Sequence, residues 1–474
     1  MKVLLLNPPT RTDIAFIREG RCTQEQGVWA TQWPPITLAT AGAILEEGGH
    51  IVEIIDCAAG NITRKSLLEK ISSGGYDLAG WATGTPSIMD DLALAIEIKE
   101  IGSSVHTAVF GTHVTALADE CLRASPGLDY IIRNEPEATI AALVDCLERR
   151  VGLESVAGIS FRDDSGGIVH NPDRDFIKDL DDLPIPAWHL VDLDCYRLPL
   201  IGRRYVILLP VRGCPWQCTF CTSGTYYGKR LRRRSVPVMM DEIGNIVERF
   251  GISDFFIWAD TFTADRDYVL DFCREIRERG LKIRWTCNSR VDTVDEDMLD
   301  EMHRSGCWMI SYGIESGNRQ TLSGIRKGID PDQSRRAVDL AGKAGIMTVG
   351  HFIMGFPGES LATLAETVDF ALSLKLDMAQ FYCAVPFPGS SMYDEAREAG
   401  WIAGKGFNEF SQGSAVMELP GLAPSIVNRY RKRAFLRFYL RPRQMMSMAK
   451  LLRSGGVRHF VRSGIRFAGW CLKK

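Results

Sequence analysis

The sequence predicts an α/β protein: a doubly wound, Rossmann-like front domain, then a partial (β/α)6 barrel of the TIM type, then a basic, helical C-terminal region. Three observations predict it. Short Val- and Ile-rich runs alternate with amphipathic stretches through the first 150 residues. The alternation resumes near Arg204 and continues to about residue 400, and no acidic residue follows Glu418.

In the front domain (1–150), Lys2–Leu6, Ile51–Ile55, Leu78–Ala82, Thr107–Phe110 and Tyr130–Ile132 read as strands. Ile36–Glu47, Arg64–Ile71, Ser87–Ile101, Thr115–Arg123 and Glu137–Glu148 read as the helices between them. Five βα repeats imply a parallel sheet covered on both faces, with a ligand crevice at the C-terminal strand ends. The residues there are Asn7-Pro8-Pro9, Asp56, Thr83-Gly84-Thr85, Gly111-Thr112-His113 and Asn134-Glu135-Pro136. They suit a ligand-facing rim, and they equally suit ordinary loops.

Residues 151–200 break the rhythm. Gly158–His170 reads as a β-hairpin around Asp163-Asp-Ser-Gly-Gly167, and Asp179–Ala187 as a Pro-punctuated connector, so a domain junction is expected here. The barrel (201–400) follows, with strands at Val206–Pro210, Asp254–Trp258, Arg284–Cys287, Met309–Ser311, Thr348–Ile353 and Gln380–Val385. Its helices centre on Met239–Phe250, Asp267–Arg279, Glu296–Ser305, Asp332–Ala344 and Leu361–Leu374. Six such units suit a barrel of fewer than eight strands.

The composition, 45% hydrophobic and 24% charged over 474 residues, is that of a globular protein. The apolar start, Met1–Leu6, is too short for a signal peptide, and no run reaches the roughly 18 apolar residues of a membrane span. Thirteen cysteines then read as reduced thiols, and the expected compartment is the cytoplasm. The net charge of −3 hides an asymmetry: residues 419–474 carry 14 Lys or Arg and no acid, against 42 basic and 59 acidic residues before them. In Arg429–Pro442 the cations interleave with Phe435, Phe438 and Tyr439, an amphipathic face suited to a membrane surface at the inner side of the cell. A helical subdomain packed on the barrel is the alternative; nucleic acid is a weaker one.

The sharpest motif follows the first barrel strand: Arg212-Gly-Cys214-Pro-Trp-Gln-Cys218-Thr-Phe-Cys221. Three thiolates in one loop can hold three irons of a cubane and leave the fourth open to a substrate. A structural zinc site normally needs a fourth protein ligand, and no nearby Cys or His pair offers one.

At these residues the chain resembles the radical S-adenosylmethionine (SAM) superfamily. The resemblance implies a [4Fe–4S] cluster on Cys214, Cys218 and Cys221, with SAM chelated to the open iron and cleaved to a 5′-deoxyadenosyl radical by an electron from a flavodoxin- or ferredoxin-type reductant. It also implies SAM-binding roles: Phe220 over the adenine, Asp260 in Trp258–Thr263 beside the methionine moiety, and Arg290 on the SAM carboxylate. Glu315 in Tyr312–Gly317 would take the ribose hydroxyls or amino group, and Gly355 and Pro357 in Gly355–Glu359 the adenine. Each alone can be a surface residue or a satisfied ion pair; their order at successive strand ends carries the weight.

A doubly wound domain before such a barrel resembles the cobalamin-binding subfamily, which includes the anaerobic magnesium-protoporphyrin ester cyclase and the hopanoid methylases. Arg18–Cys22, Trp33-Pro-Pro35 and Pro386–Gly389 share its look. The resemblance assigns cobalamin to Asn7, Pro8, Thr83, Thr85, Gly111, Thr112 and Glu135. Two departures stand out. Asp56-Cys57-Ala58-Ala59-Gly60-Asn61 has Ala where cobalt-ligating relatives carry His, and the fourth strand ends in Phe110-Gly111 rather than Gly-Gly. The implied activity is C-methylation of an unactivated carbon in a hydrophobic lipid, isoprenoid or tetrapyrrole substrate. Radical cyclisation, carbon–carbon coupling or oxidation is the alternative within enzymes. An RNA-binding methylthiotransferase is the alternative of another class, disfavoured because Cys22, Cys57, Cys121 and Cys146 are scattered.

Overall fold

The computed structural model describes residues 1–12, 14–20, 22–25, 32–198, 201–444 and 447. Its front sheet contains β1 (Lys2–Asn7), β4 (Ile51–Asp56), β5 (Leu78–Ala82), β6 (His106–Phe110), β7 (Tyr130–Ile132), β8 (Ile159–Arg162) and β9 (Ile168–His170), in the order β4-β1-β5-β6-β7-β8-β9. A small antiparallel hairpin, β2 (Phe16–Glu19) with β3 (Cys22–Glu25), stands apart from it. The first five strands of the sheet are parallel; β8 and β9 add antiparallel. The sheet therefore runs past residue 150, and the expected hairpin extends it. In the hairpin turn Asp163 Oδ1 accepts from Ser165 N (2.9 Å) and Gly167 N (2.8 Å), which makes Asp163 the anchor of the turn.

The strand alternation decides the two faces. Leu4 and Leu6 enter one core with Trp81 and Ile98, while Val3 and Leu5 enter the other with Leu38 and Ile140. The covering helices are α1 (Ile36–Glu47), α2 (Arg64–Gly74), α3 (Ile88–Glu100), α4 (Thr112–Ala116), α5 (Ala118–Ala124) and α6 (Glu137–Arg149). The single helix expected at Thr115–Arg123 is thus two helices. Leu117, with φ −127° and ψ 44°, breaks the turn between them.

The second sheet is β10 (Val206–Leu208), β13 (Asp254–Ile257), β14 (Arg284–Ser289), β15 (Cys307–Glu315), β16 (Met347–Met354) and β17 (Met378–Cys383), all parallel and in that order. β10 and β17 are its two edges, so the barrel is open. Between β10 and β13 lie β11 (Val211–Arg212), β12 (Arg232–Arg233), α7 (Ser223–Tyr226) and α8 (Val236–Phe250). Helices α9 (Arg266–Glu278), α10 (Glu296–Arg304), α11 (Arg319–Gly324), α12 (Pro331–Lys343), α13 (Leu361–Ser373) and α14 (Ser391–Glu398) follow. Each of these six starts on a side-chain cap, from Asp265, Asp295, Asn318, Asp330, Ser360 and Ser390 in turn. These caps satisfy otherwise orphaned first-turn amides.

The last described helix, α15 (Pro424–Tyr439), corrects the membrane reading of its apolar face. Phe435, Phe438 and Tyr439 are buried; Phe435 and Phe438 pack edge-on to Phe381 of β17. Tyr439 Oη donates to Ala379 O and accepts from Ala379 N. Just beyond the interleaved stretch, Arg443 and the neutral Gln444 cap carbonyls past the end of α13, donating to Lys375 O (2.8 Å) and to Leu376 O (3.0 Å). The stripe covers the open edge of the barrel. Met445, Met446 and residues 448–474 of the basic tail lie outside the described residues. No helix among the described residues is long and apolar enough to cross a membrane.

Candidate functional site

The cysteine loop hangs from backbone bonds rather than from its thiols. Cys214 N donates to Gly228 O (3.2 Å), Thr219 N to Ile325 O (3.0 Å) and Gly213 N to the Asp260 carboxylate (2.9 Å). Gly213 has φ +84°, and a Cβ there would stand 2.2 Å from Arg230 O, so only glycine fits. Cys214, Cys218 and Cys221 are half-buried. Burial pushes the Cys218 thiol up to about 11, opposed by the nearby Lys327 charge. Two short contacts already reach the sulfurs: Thr261 Oγ1 lies 3.7 Å from Cys214 Sγ, and Ser223 N donates to Cys221 Sγ at 3.5 Å.

The spacing speaks against one metal ion. Tetrahedral zinc would gather its sulfurs to about 3.8 Å from one another. Among the described residues, His50, Asp145 and Glu148 form the only trio of His, Cys, Asp or Glu whose ligand atoms all lie within 4.8 Å. That trio is a surface ion cluster on the Met1 amine, which bonds Glu148 at 2.9 Å and His50 at 3.2 Å. The three thiols, held apart in one loop, suit a multi-iron cluster.

Around this loop the structure gathers most of the SAM candidates. Arg290 lies 4.3 Å over the Trp216 ring, and donates to both Asp292 oxygens (2.8 Å each) and to Lys327 O (2.8 Å). Phe220 stands 5.4 Å from Phe356. Glu315, buried and with φ +63°, sits at a register break in β15 and pairs with Lys327 Nζ at 2.6 Å. A non-glycine residue held in that region is a strained position of the kind that clusters at functional sites. Asp260 commits an oxygen to Gly213 N. Gly355, expected beside the adenine, is closely packed. A Cβ there would meet Val427 of α15 at 3.0 Å, and Glu359 takes both the Gly355 and Phe356 amides, at 2.7 and 2.9 Å. Pro357 lies within that same self-satisfied turn. Sequence reasoning missed Lys327; its place three residues from the end of α11 carried no signal until Glu315 was beside it.

At the front-domain rim, Asn7 Nδ2 reaches Asp56 (3.4 Å), while its buried Oδ1 has no partner among the described residues. Thr83 Oγ1 donates to Asp91 (2.7 Å), which also holds Arg18 and Ser87. Thr85 Oγ1 lies 3.2 Å from His113 Nδ1. Burial pushes His113 down to about 3, so it is neutral, and Phe407 meets its ring edge-on at 4.6 Å. Gly111, at φ +140°, passes so close to the β5 loop that a Cβ would stand 2.1 Å from Thr83 O. Pro8 and Thr112 sit on the same rim, with Thr112 opening α4. Where a cobalt-ligating His would be expected there is Ala58, and its neighbour Cys57 is a buried thiol pushed up to about 12.

Glu135, which the resemblance gives to cobalamin, is held by cations of the barrel. Its carboxylate accepts from Arg212 (3.1 Å), Arg232 (2.9 Å) and Ile177 N (2.9 Å), all buried or half-buried. Arg212 also takes Glu137 at 2.6 Å and lies 5.1 Å over the Tyr227 ring. A charge cluster thus locks the front-domain rim to the strand that opens the cysteine loop.

Glu19 borders this cluster and is fully buried. Its carboxylate accepts from Thr37 Oγ1 and, at 3.4 Å, from Thr37 N. Burial raises it from 4.5 to about 7. The folded chain then holds a proton that the unfolded chain releases. Stability contributed by Glu19 is full below about 4.5 and falls as pH rises through 7. Glu19→Gln should flatten that limb and raise stability near pH 8 by on the order of 1–3 kcal/mol. Urea midpoints on either side of the window measure it; parallel pH profiles for both proteins would refute it.

Comparison with known proteins agrees with this architecture. The radical SAM superfamily model matches residues 208–371, and the B12 binding domain model matches residues 27–144. An uncharacterized methyltransferase of Pyrococcus horikoshii is 32% identical over 94% of this chain and 94% of its own. The anaerobic magnesium-protoporphyrin IX monomethyl ester cyclase of Rubrivivax gelatinosus is 28% identical over 77% of this chain and 67% of its own. The cytidylyl-2-hydroxyethylphosphonate methyltransferase of Streptomyces wedmorensis is 26% identical over 89% and 86%. The cobalamin-dependent SAM radical enzyme OxsB, with aqua-cobalamin and SAM bound, shares the fold at TM-score 0.74, 17% identity and 98% of this chain (72% of its own). TsrM of Kitasatospora setae does so at TM-score 0.68, 18% identity and 90% of this chain (81% of its own). The cofactors of the two matched domains are a [4Fe–4S] cluster, SAM and cobalamin. A barrel that opens on a three-cysteine loop, coupled through buried charges to a doubly wound front domain, agrees with both matches: this chain belongs to the radical SAM superfamily and carries a B12-binding domain.

Proposed function

We propose that the chain is a methyltransferase acting on an unactivated carbon of a hydrophobic substrate, with the cluster on Cys214, Cys218 and Cys221 and cobalamin at the front-domain rim. The observation that carries this reading is the buried joint: Arg212, two residues before Cys214, is bonded to Glu135 and Glu137 of the rim. Two catalytic centres that exchange one substrate between them need such fixed geometry. Trp33, ahead of α1, packs edge-on to Phe256 and Trp258 of the barrel, at 5.4 and 4.7 Å, and gives the joint an aromatic surface. The buried Asn7 oxygen, without a partner among the described residues, fits a polar ligand lying close on the rim, and Ala58 stands where a cobalt-ligating histidine would be. When bound, the cluster with SAM supplies a hydrogen-abstracting radical and the cobalamin a transferable methyl group.

The chain's own residues would bind and orient. Phe220 offers a ring face, Glu315 a carboxylate and Arg290 a guanidinium already aimed by Asp292. Lys327 is the counter-charge of Glu315, 2.6 Å away. Lys327→Met should weaken SAM binding by roughly ten- to hundredfold, the scale of one lost charged hydrogen bond, and Lys327→Arg should recover part of it. Equilibrium dialysis of the reconstituted enzyme reads this; an unchanged dissociation constant removes Lys327 from the site. Phe407, against His113, places the segment after the barrel over the rim, where it excludes water.

Anaerobic incubation with a chemical reductant and a substrate extract should release both S-adenosylhomocysteine and 5′-deoxyadenosine. Deoxyadenosine alone sinks methyl transfer and favours cyclisation, coupling or oxidation by the same radical.

A further inference from the structure

Reductive SAM cleavage needs an electron from outside the chain, and the exposed surface beside the cysteine loop has a definite charge. Two segments are bonded directly to that loop: 228–230, through Gly228 O to Cys214 N, and 325–327, through Ile325 O to Thr219 N. Their exposed side chains are Lys229, Arg230 and Arg326, and neither segment carries a carboxylate. The neighbouring Arg232, Arg233 and Arg234 are each ion-paired, to Glu135, Asp265 and Glu242. Lys229, Arg230 and Arg326 form no ion pair among the described residues. Pro215 and Gln217, on the cysteine loop between the two segments, are themselves exposed. The carboxylates on adjoining elements include Asp175, ion-paired to Lys178 at 3.8 Å, Asp292, ion-paired to Arg290 at 2.8 Å, Asp330, ion-paired to Arg319 at 3.6 Å, and the Asp394 and Glu395 of α14.

Three unpaired cations around an exposed ligand loop are not needed to fold it, since backbone bonds and Asp260 already do that. We propose that Lys229, Arg230 and Arg326 form the docking surface for a small acidic one-electron carrier, of the flavodoxin or ferredoxin class. Opposite charge steers such a carrier onto the loop and fixes its orientation more than it adds affinity. One electron leaves the reduced carrier and enters the cysteine-held cluster; no bond or proton is exchanged. This rests on the cluster assignment made above.

The test pairs a binding readout with two electron sources. Titration calorimetry of oxidised flavodoxin against the reconstituted enzyme should show binding that weakens steeply between about 50 mM and about 300 mM salt. The Lys229→Glu/Arg230→Glu variant should weaken it by at least roughly tenfold and slow flavodoxin-driven deoxyadenosine formation similarly. Dithionite-driven formation should stay at the parent's rate, and Lys229→Arg/Arg230→Lys should behave as the parent. Unchanged flavodoxin binding in the charge-reversed variant overturns the docking surface. So does an equal fall with both electron sources, because the damage then lies in the site. Absence of dithionite-driven cleavage in the parent overturns the cluster assignment itself.

Discussion

Replacing Cys214, Cys218 and Cys221 together by Ala is expected to abolish iron binding and all 5′-deoxyadenosine formation, while the metal-free protein keeps its melting temperature to within about 2 °C. The two halves of this expectation have separate causes. The thiols are half-buried and hold little of the loop: its ends are fixed by the Cys214, Thr219 and Gly213 amides, none of which the substitutions touch. Removing three sulfurs from a partly open loop leaves no sealed cavity, so the packing cost stays small. The chemistry, by contrast, has no substitute ligands. Asp260 is occupied by Gly213 N, and the remaining thiols of the barrel, Cys273, Cys287, Cys307 and Cys383, are buried in its core. Iron analysis and the anaerobic visible spectrum of parent and variant decide it. Zinc without iron in the parent would overturn the cluster, and iron retained by the variant would move it elsewhere.

The elements legible in the sequence were those whose signal is local. Strand alternation placed β5 and β7 to the residue, because both faces of a doubly wound sheet demand apolar side chains over short runs. The cysteine motif was legible because its three cysteines lie within eight residues. Glu135 was not. Its position at a strand end is equally compatible with a ligand and with an ion pair, and the choice was made by Arg212 and Arg232, 77 and 97 residues away. The surroundings of Gly355 were hidden for the same reason, since Val427 reaches it from a helix past the barrel. The stripe of Phe435, Phe438 and Tyr439 shows a further limit. Helical spacing reports that a face is covered and does not say by what; the barrel edge took it.

The second large effect is expected at Arg212. Arg212→Met should destabilise the chain by on the order of 3–5 kcal/mol, because it leaves buried carboxylates without their counter-charge. Arg212 is 3% exposed, Glu135 4% and Glu137 0%. Glu135 would keep Arg232 at 2.9 Å, so the uncompensated group is Glu137, whose Oε2 already has no partner among the described residues. The penalty therefore belongs to an abandoned charge more than to a lost attraction. Glu137→Gln in the Arg212→Met background should then recover a large part of the loss, although each single change is harmful. Urea unfolding of the four proteins of this cycle measures the coupling; additive losses would show that the pair contributes nothing specific. Function should respond differently from stability. Only Gly213 separates Arg212 from the first ligand cysteine, so loosening Arg212 frees the cysteine loop from the front-domain rim. The double variant, stable again but unlocked, should still make deoxyadenosine while forming less S-adenosylhomocysteine per deoxyadenosine than the parent. If its product ratio matches the parent's, the buried charges serve stability alone and something other than this joint aligns the two domains.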